Sequence, residues 1–541
     1  MKYKFGIFTV TLLTCFFIFV STVHAFTNSN YYDNQNISIG LQSMASSQLT
    51  ISLNGDYTLN GVTCKSGTSY LLKVSGAKIS LNGTLYDNFV FIPKNNLNTM
   101  KIISSVTRNY LGTFTFRVDS SNGTSRVMPI NTLYIENYLK GVVGKEMSDS
   151  FPIEALKAQA IAARNYTLNS VGKHVAKYYN LCDTIDCQVY GGNDTSLKNV
   201  IAAVDATKGM LLLSGTSIVE AYYSASDGGY TEACENVWSG VRSYFKAKPD
   251  SFDMDYPWTK TYTNNEINNL FKLKLLTNDT FVKIDMSTIT KFTSGRIKNI
   301  SLVFKNAYGV NYTLSYGKEA ARTFLYLNSA LYNVKYNATL GSYCFDGKGN
   351  GHGIGMSQIG ARNRAKAGQS FENILKFYYD GSTIVNVLPS IKNISVDKSR
   401  IYSFDYPCFN VDAAGGSLKG LSYQYVVVRN NITLQDSGYI NSSKFQYKPR
   451  EAGSYSLKVY VKGIDSILPY EATKTYNFNV EASNQADVNL DKTVDVFDFV
   501  IISRNMGKQR GAANWNERWN VEDRDAVINI LDLAKASKNY K

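Results

Sequence analysis

The chain has 541 residues, 44% of them hydrophobic and 18% charged, which excludes a mainly disordered protein and allows about three or four domains. Its formal net charge of +14 raises nucleic acid as a partner, but the basic residues are scattered and no Arg-rich or Lys-rich helix stands out, so no nucleic-acid partner is expected. Seven cysteines are too sparse for a disulfide-held scaffold.

Residues 1–25 read as a secretory signal peptide. Lys2 and Lys4 precede an apolar core over residues 5–20, and Val23-His24-Ala25 offers small residues for cleavage. That core is shorter than the roughly 20 residues a membrane span needs, and no lipobox-like pattern follows Cys15. No later stretch is apolar enough to cross a bilayer, so a secreted chain beginning near Phe26, with no transmembrane segment, is expected. Residues 36–117 then alternate as short strands broken by pairs such as Asn82-Gly83 and Ser75-Gly76, a β-rich scaffold.

Four blocks carry the chemistry of the middle of the chain. Tyr138-Leu139-Lys140-Gly141-Val142-Val143-Gly144-Lys145-Glu146-Met147 reads as a short apolar strand that ends in a carboxylate. Pro152 then opens an Ala-rich helix over residues 152–170 that carries Arg164, thin enough for close packing. Asp186-Cys187-Gln188-Val189-Tyr190-Gly191-Gly192 and the run from Ala221 through Tyr222, Tyr223 and Ser226 to Gly228-Gly229 are strand-like and break into paired glycines. A last block, Gly349-Asn350-Gly351-His352-Gly353-Ile354-Gly355, leads through Ser357 and Gln358 into another helix; glycine at that density permits close backbone approach to a ligand. With helices over residues 196–207, 357–367 and 371–379 among strands over 210–213 and 217–224, this region is expected to be α+β.

From about residue 390 to 482, alternating runs such as Tyr423-Gln424-Tyr425-Val426 and Tyr455-Ser456-Leu457-Lys458 follow turn signals at sandwich-like spacing. An Ig-like or triple-tyrosine β-sandwich is expected, as a spacer in preference to a binding module. In the tail, residues 485–541, the side chains of Asp487, Asn489, Asp491, Asp495 and Asp498 and the carbonyl of Thr493 fall at the ligand positions of a twelve-residue calcium loop. A helix follows, and a second copy ends near Asp532, where counting back puts Val521 in place of the first acidic ligand, so one calcium site is expected. This duplication resembles a type I dockerin, a small all-α module, and the resemblance implies a cohesin-type protein partner.

With the four blocks in view, residues 31–387 resemble the SpoIID/LytB family of bacterial cell-wall proteins. The resemblance implies a lytic transglycosylase acting on peptidoglycan glycan strands stripped of stem peptides, with Glu146 as the catalytic acid. That acid must stay protonated near neutral pH, which partial burial would favour. Glu136 and Asp149, the nearest rival carboxylates, read as surface or helix-start residues. The resemblance makes Arg164 a glycan-cleft residue, with a salt-bridged place in a packed helix as the alternative, and makes Tyr222, Tyr223, Ser226 and Gln358 weaker candidates for contacts to sugar. Some relatives bind zinc, and here His174, Cys182 and Cys187 would supply three ligands with His352 or Asp186 as a fourth; a Cys182–Cys187 disulfide or two free thiols is the other reading. A secreted or wall-bound protein of a Gram-positive bacterium follows, its positive charge drawing it to anionic wall polymers. The rival from another class is a noncatalytic glycan-binding protein that stimulates a wall amidase.

Overall fold

A computed structural model describes residues 28–540 except 122, 255, 276–278, 418, 513 and 523–524. The expected signal peptide lies outside the described residues. The remainder folds around four separate hydrophobic cores.

The first core gathers residues from Tyr31 to Val387 but skips those between Phe245 and Ile354. Its β-rich part is a seven-stranded and a six-stranded sheet. Strand Gln48–Asn54 shows why they form: Leu49, Ile51 and Leu53 alternate inward while their neighbours face out. Strand Arg126–Tyr134 lies between Asn36–Gly40 and Thr113–Asp119, antiparallel to both, and feeds without a loop into a helix, Ile135–Glu146.

That helix corrects the expected strand. Ile135, Tyr138, Leu139, Val142 and Val143 are buried at a spacing of three and four, the period of one helix face. The short apolar run had suggested strand; its glycines serve packing. A Cβ on Gly141 would lie 2.4 Å from the Gly192 carbonyl, and one on Gly144 would lie 2.3 Å from the Leu197 side chain. The Ala-rich helix, Ile153–Ser170, forms as expected with Pro152 at its N-cap, as do Lys198–Ala206, Gln358–Lys366 and Phe371–Tyr378.

Residues 257–348 form a unit with its own core, built on Ile267, Phe271, Phe304, Tyr332 and Phe345. The expected single region, 31–387, therefore holds an insertion. Its first strand, Pro257–Thr263, pairs with its last, Ser342–Lys348, through Pro257 opposite Lys348, so the chain leaves and returns at one place. The return delivers it directly into the glycine-rich block.

The third core joins a five-stranded sheet to a three-stranded one over residues 390–481, a β-sandwich. The tail has helices Val496–Arg504 and Ile530–Ser537 over a small core. Each begins with a reciprocal capping box, Asp495 with Asp498 and Asn529 with Asp532, so the repeat seen in sequence is a repeat in structure. Arg518 of the tail reaches Asp405 of the sandwich at 2.9 Å, and Glu471 of the sandwich accepts from Tyr32 at 3.1 Å and Gln35 at 3.3 Å.

Candidate active site

A cavity of about 730 Å³ opens between the first unit and the insertion, lined among others by Glu146, Tyr166, Lys173, Asp186, Tyr222, Tyr223, Trp238, Arg322 and His352. Glu146 is the last residue of its helix. Its Oε1 accepts from the Val189 amide at 3.3 Å and its Oε2 from the Gln358 side-chain amide Nε2 at 3.2 Å. Burial raises its pKa, and these two bonds, which favour the charged form, offset only part of that rise. The carboxyl also sits at the negative end of the helix dipole, which disfavours its ionisation.

Three of the sequence blocks converge here because short strands knit them together. Tyr223–Ser224 runs parallel to Met356–Ser357, with Tyr223 opposite Met356, and Ser357 caps the helix that starts at Gln358 by accepting from the Gly360 amide at 3.0 Å. Tyr223 donates to Gln188 Oε1 at 2.8 Å, and Gln188 donates to Thr167 at 2.9 Å. Tyr222 packs its ring against Trp238 at 4.8 Å between centroids. Tyr166, Tyr222 and Trp238 thus give the cavity an aromatic wall of the kind that stacks against sugar rings.

Other expected site residues lie elsewhere. Arg164 is fully buried and bidentate to buried Glu136, at 2.9 Å from Nε and 2.6 Å from Nη2. It does not line the cavity, so of its two readings the salt-bridged place in a packed helix holds and the cleft residue does not; Glu136 is a helix-start residue, in the first turn of Ile135–Glu146, but is buried and not at the surface. Asp149 accepts from the Val200 amide at 2.8 Å, in the first turn of the helix Lys198–Ala206. Ser226 is buried and bonds Asp253 at 2.8 Å; Asp253 also accepts from Ser357 at 2.7 Å. Ser226 therefore ties two loops together rather than meeting ligand.

The glycine-rich block lines the cavity through Asn350, Gly351 and His352, while two of its later glycines pack against protein. Gly355, at φ +69°, would place a Cβ 2.1 Å from the Tyr222 carbonyl, and Gly353, at φ +77°, would place one 2.1 Å from the Arg296 guanidinium. His352 is held neutral: burial and nearby Arg322 lower its pKa to about 3. Its Nδ1 accepts from the Ile354 amide at 3.0 Å, which leaves Nε2–H to donate to the Tyr223 carbonyl at 3.1 Å.

Beside the cavity, His174, Cys182, Asp186 and Cys187 bring one ligand atom each within 4.8 Å of one another. Cys187 Sγ is 3.3 Å from His174 Nε2, which is 3.2 Å from Asp186 Oδ2. The two cysteines are free thiols, not a disulfide. Hydrogen bonding to Cys187 lowers the Cys182 thiol to about 5, and the same bond raises Cys187. One imidazole, two sulfurs and a carboxylate suit a tetrahedral zinc site; His352 stands apart from this set. In the tail, Asp487 accepts from the Asp491 and Lys492 amides, Asp491 from Asn489 and Thr493, and Asp498 from the Val488 and Asp495 amides. The six expected calcium ligands thus share one loop that ends in a helix.

A family profile described as stage II sporulation protein matches residues 123–213, which hold Glu146 and the His174 cluster. A second, described as a domain of unknown function (DUF8618), matches residues 232–355 and includes the insertion. The stage II sporulation protein D of Bacillus subtilis is 32% identical over 273 residues, 47% of this chain and 75% of that protein. The chain belongs to the stage II sporulation protein D family. The amidase enhancer of Bacillus subtilis is 34% identical over 393 residues, 64% of this chain, and the match spans 54% of that protein's length. An uncharacterized protein of Brachyspira hyodysenteriae is 32% identical over 260 residues, 48% of this chain and 68% of that one. These stage II sporulation protein D relatives place the chain among cell-wall-related proteins. No helix of the described residues is long and apolar enough to cross a membrane.

Proposed function

We propose that the chain is a secreted lytic transglycosylase of peptidoglycan, with Glu146 as its single acid and base. In this reaction the protonated carboxyl donates to the glycosidic oxygen between N-acetylmuramic acid and N-acetylglucosamine as that bond breaks. The resulting carboxylate then takes the proton of the muramic C6 hydroxyl, whose oxygen attacks C1 and closes a 1,6-anhydro ring. Atoms balance without water, and the tethered nucleophile benefits from high effective molarity. The observation that carries this reading is Glu146 itself, with its pKa raised by burial at the wall of an aromatic-lined cavity. A glycoside hydrolase pairs two carboxyl groups across the bond; here the other carboxylate among the described lining residues, Asp186, is engaged by Lys173 and His174. Turnover of isolated glycan strands by Glu146→Gln should fall by about two to four orders of magnitude, and full activity of that variant would refute the assignment.

A second reading is supported by the relative named amidase enhancer: a noncatalytic glycan binder that stimulates a wall amidase. It predicts amidase stimulation that is indifferent to Glu146→Gln and no cleavage of strands by the chain alone.

Zinc held by His174, Cys182, Asp186 and Cys187 would supply a rigid crosslink. Asp186 and Cys187 lie just before Gln188 and Val189, so a pinned loop holds the amide that bonds Glu146 in place. The tail fits a calcium-binding dockerin-like module that docks a cohesin-type partner, and the cell wall or surface is the place where all of these parts would act.

A further inference from the structure

We propose that Asp227 and Asp253 share one proton between their buried carboxyl groups, and that this proton latches the neck of the insertion and positions the helix that carries Gln358 to Glu146. The pairing needs no substrate and does not rest on the glycan reading.

The neck is where the chain enters and leaves the insertion, and three segments meet there. Asp250 and Asp253 lie just before its first strand, Pro257–Thr263, and residues 349–351 follow its last, Ser342–Lys348. The loop from Ser226 to Tyr230 packs on the returning segment: Ser226 pairs with Asn350, and a Cβ on Gly228 would lie 2.8 Å from the Gly349 nitrogen. The Gly349 amide donates in turn to the Tyr256 carbonyl at 2.8 Å. The body of the insertion reaches the same loop through Arg296, which donates to the Tyr230 and Asp227 carbonyls at 2.6 and 2.7 Å.

The donors place the proton. Asp253 accepts from the Ser226 and Ser357 hydroxyls at 2.8 and 2.7 Å and from the Asp227 and Gly228 amides at 2.5 and 3.3 Å, a set that suits a carboxylate. Asp227 is 1% exposed; its Oδ1 accepts from the Gly229 amide at 2.9 Å, but its Oδ2 is buried with no donor facing it. An ionised oxygen there would be desolvated without compensation, whereas a carboxylic acid donates to Asp253, with which Asp227 is in hydrogen-bonding contact. Charge balance agrees. Among the described residues, the buried carboxyl groups Asp227, Glu232, Asp250 and Asp253 face only two buried guanidiniums, Arg296 and Arg364. Arg364 is taken by Asp250 at 2.7 Å, which also accepts from Tyr378 at 2.6 Å. Glu232 is bonded to Ser294 and Asn236, and Lys348 on the returning strand is exposed. Burial, with the charges of Asp250 and Asp253 added, pushes the Asp227 carboxyl up to about 9.

The latch reaches the cavity through Ser357. That hydroxyl donates to Asp253 and caps the helix Gln358–Lys366, whose first residue donates to Glu146. With the proton in place the two carboxyl groups attract; once it leaves they repel across a buried gap, and the neck and the capped helix loosen together. The folded state favours the proton, so the stability Asp227 contributes is lost as pH rises through about 9.

Infrared difference spectra of the full chain, wild type minus Asp227→Asn, test the pairing when read beside hydrogen exchange by mass spectrometry. At neutral pH the difference should show the carbonyl band of a carboxylic acid, which should give way to a carboxylate band as pH passes about 9. Over the same interval exchange at residues 226–230, 249–254 and 349–358, corrected for the intrinsic effect of pH, should rise about tenfold in wild type. It should stay level in Asp227→Asn, whose side-chain amide donates to Asp253 but does not ionise. A carboxylate band at neutral pH overturns the shared proton, and an acid band that is lost with no change in exchange overturns the latch. Should Asp227→Asn not fold, the chain carrying Glu146→Gln, which removes the raised carboxyl of the cavity, is scanned alone: loss of an acid band near pH 9 together with faster exchange at the neck supports the latch, and absence of either overturns it.

Discussion

The chemistry of Glu146 follows from three neighbours: a cavity wall that buries it, and two donors that moderate the effect. Because burial raises its pKa, activity should be full at low pH and fall as pH rises through that raised value. Gln358 stabilises the carboxylate, so Gln358→Leu should move the falling limb to higher pH, which a profile of kcat/KM would read; an unmoved limb would remove Gln358 from the site. The same sign applies to folding. Folded Glu146 holds its proton more tightly than the unfolded chain does, so its contribution to stability is lost as pH rises through the raised value. Arg164 belongs to stability rather than chemistry. Arg164→Met leaves Glu136 buried without its cation and should cost about 3–5 kcal/mol in denaturant unfolding, whereas a cleft residue would change KM with stability intact.

At the level of elements, the helices with strong Ala or amphipathic patterns were legible in the sequence, and so was the tail repeat. The helix bearing Glu146 was not, because its two valines prefer strand and its two glycines are poor helix formers. Only the stretch from Ile135, three residues before the apolar run as read, completes the helical period. The cavity's acid and its Tyr222, Tyr223 and Gln358 neighbours could be named from local blocks. Trp238 and Arg322 could not: each lies in an unremarkable local sequence, and Arg322 reaches the cavity only through the docking of the insertion. Ser226 was misplaced, and of the two readings of Arg164 the salt-bridged one holds, because burial turns polar side chains into braces. The His174 loop makes its own prediction. Elemental analysis of the purified chain should find about one zinc, Cys182→Ser should hold none, and chelation should lower the melting temperature; a metal-free chain with unchanged stability would discard the site.

Across the whole molecule, the modules are joined by specific bonds rather than strung on linkers, as Arg518 with Asp405 and Tyr32 with Glu471 show. If the tail binds calcium through Asp487, Asp491 and Asp498, calcium at a hundredfold excess over its Kd should stabilise the tail by about 2.7 kcal/mol, and Asp487→Ala should abolish the shift in a thermal scan. The insertion separates this chain's cavity from one formed by a single unit, since the cleft needs both cores. The most direct measurement is mass spectrometry of the fragments that the full chain releases from isolated, peptide-free glycan strands. A lone proton donor that lets the sugar attack itself predicts 1,6-anhydromuramic ends with wild type and none with Glu146→Gln. Fragments ending in ordinary reducing sugars, or anhydro ends undiminished in the variant, would contradict it.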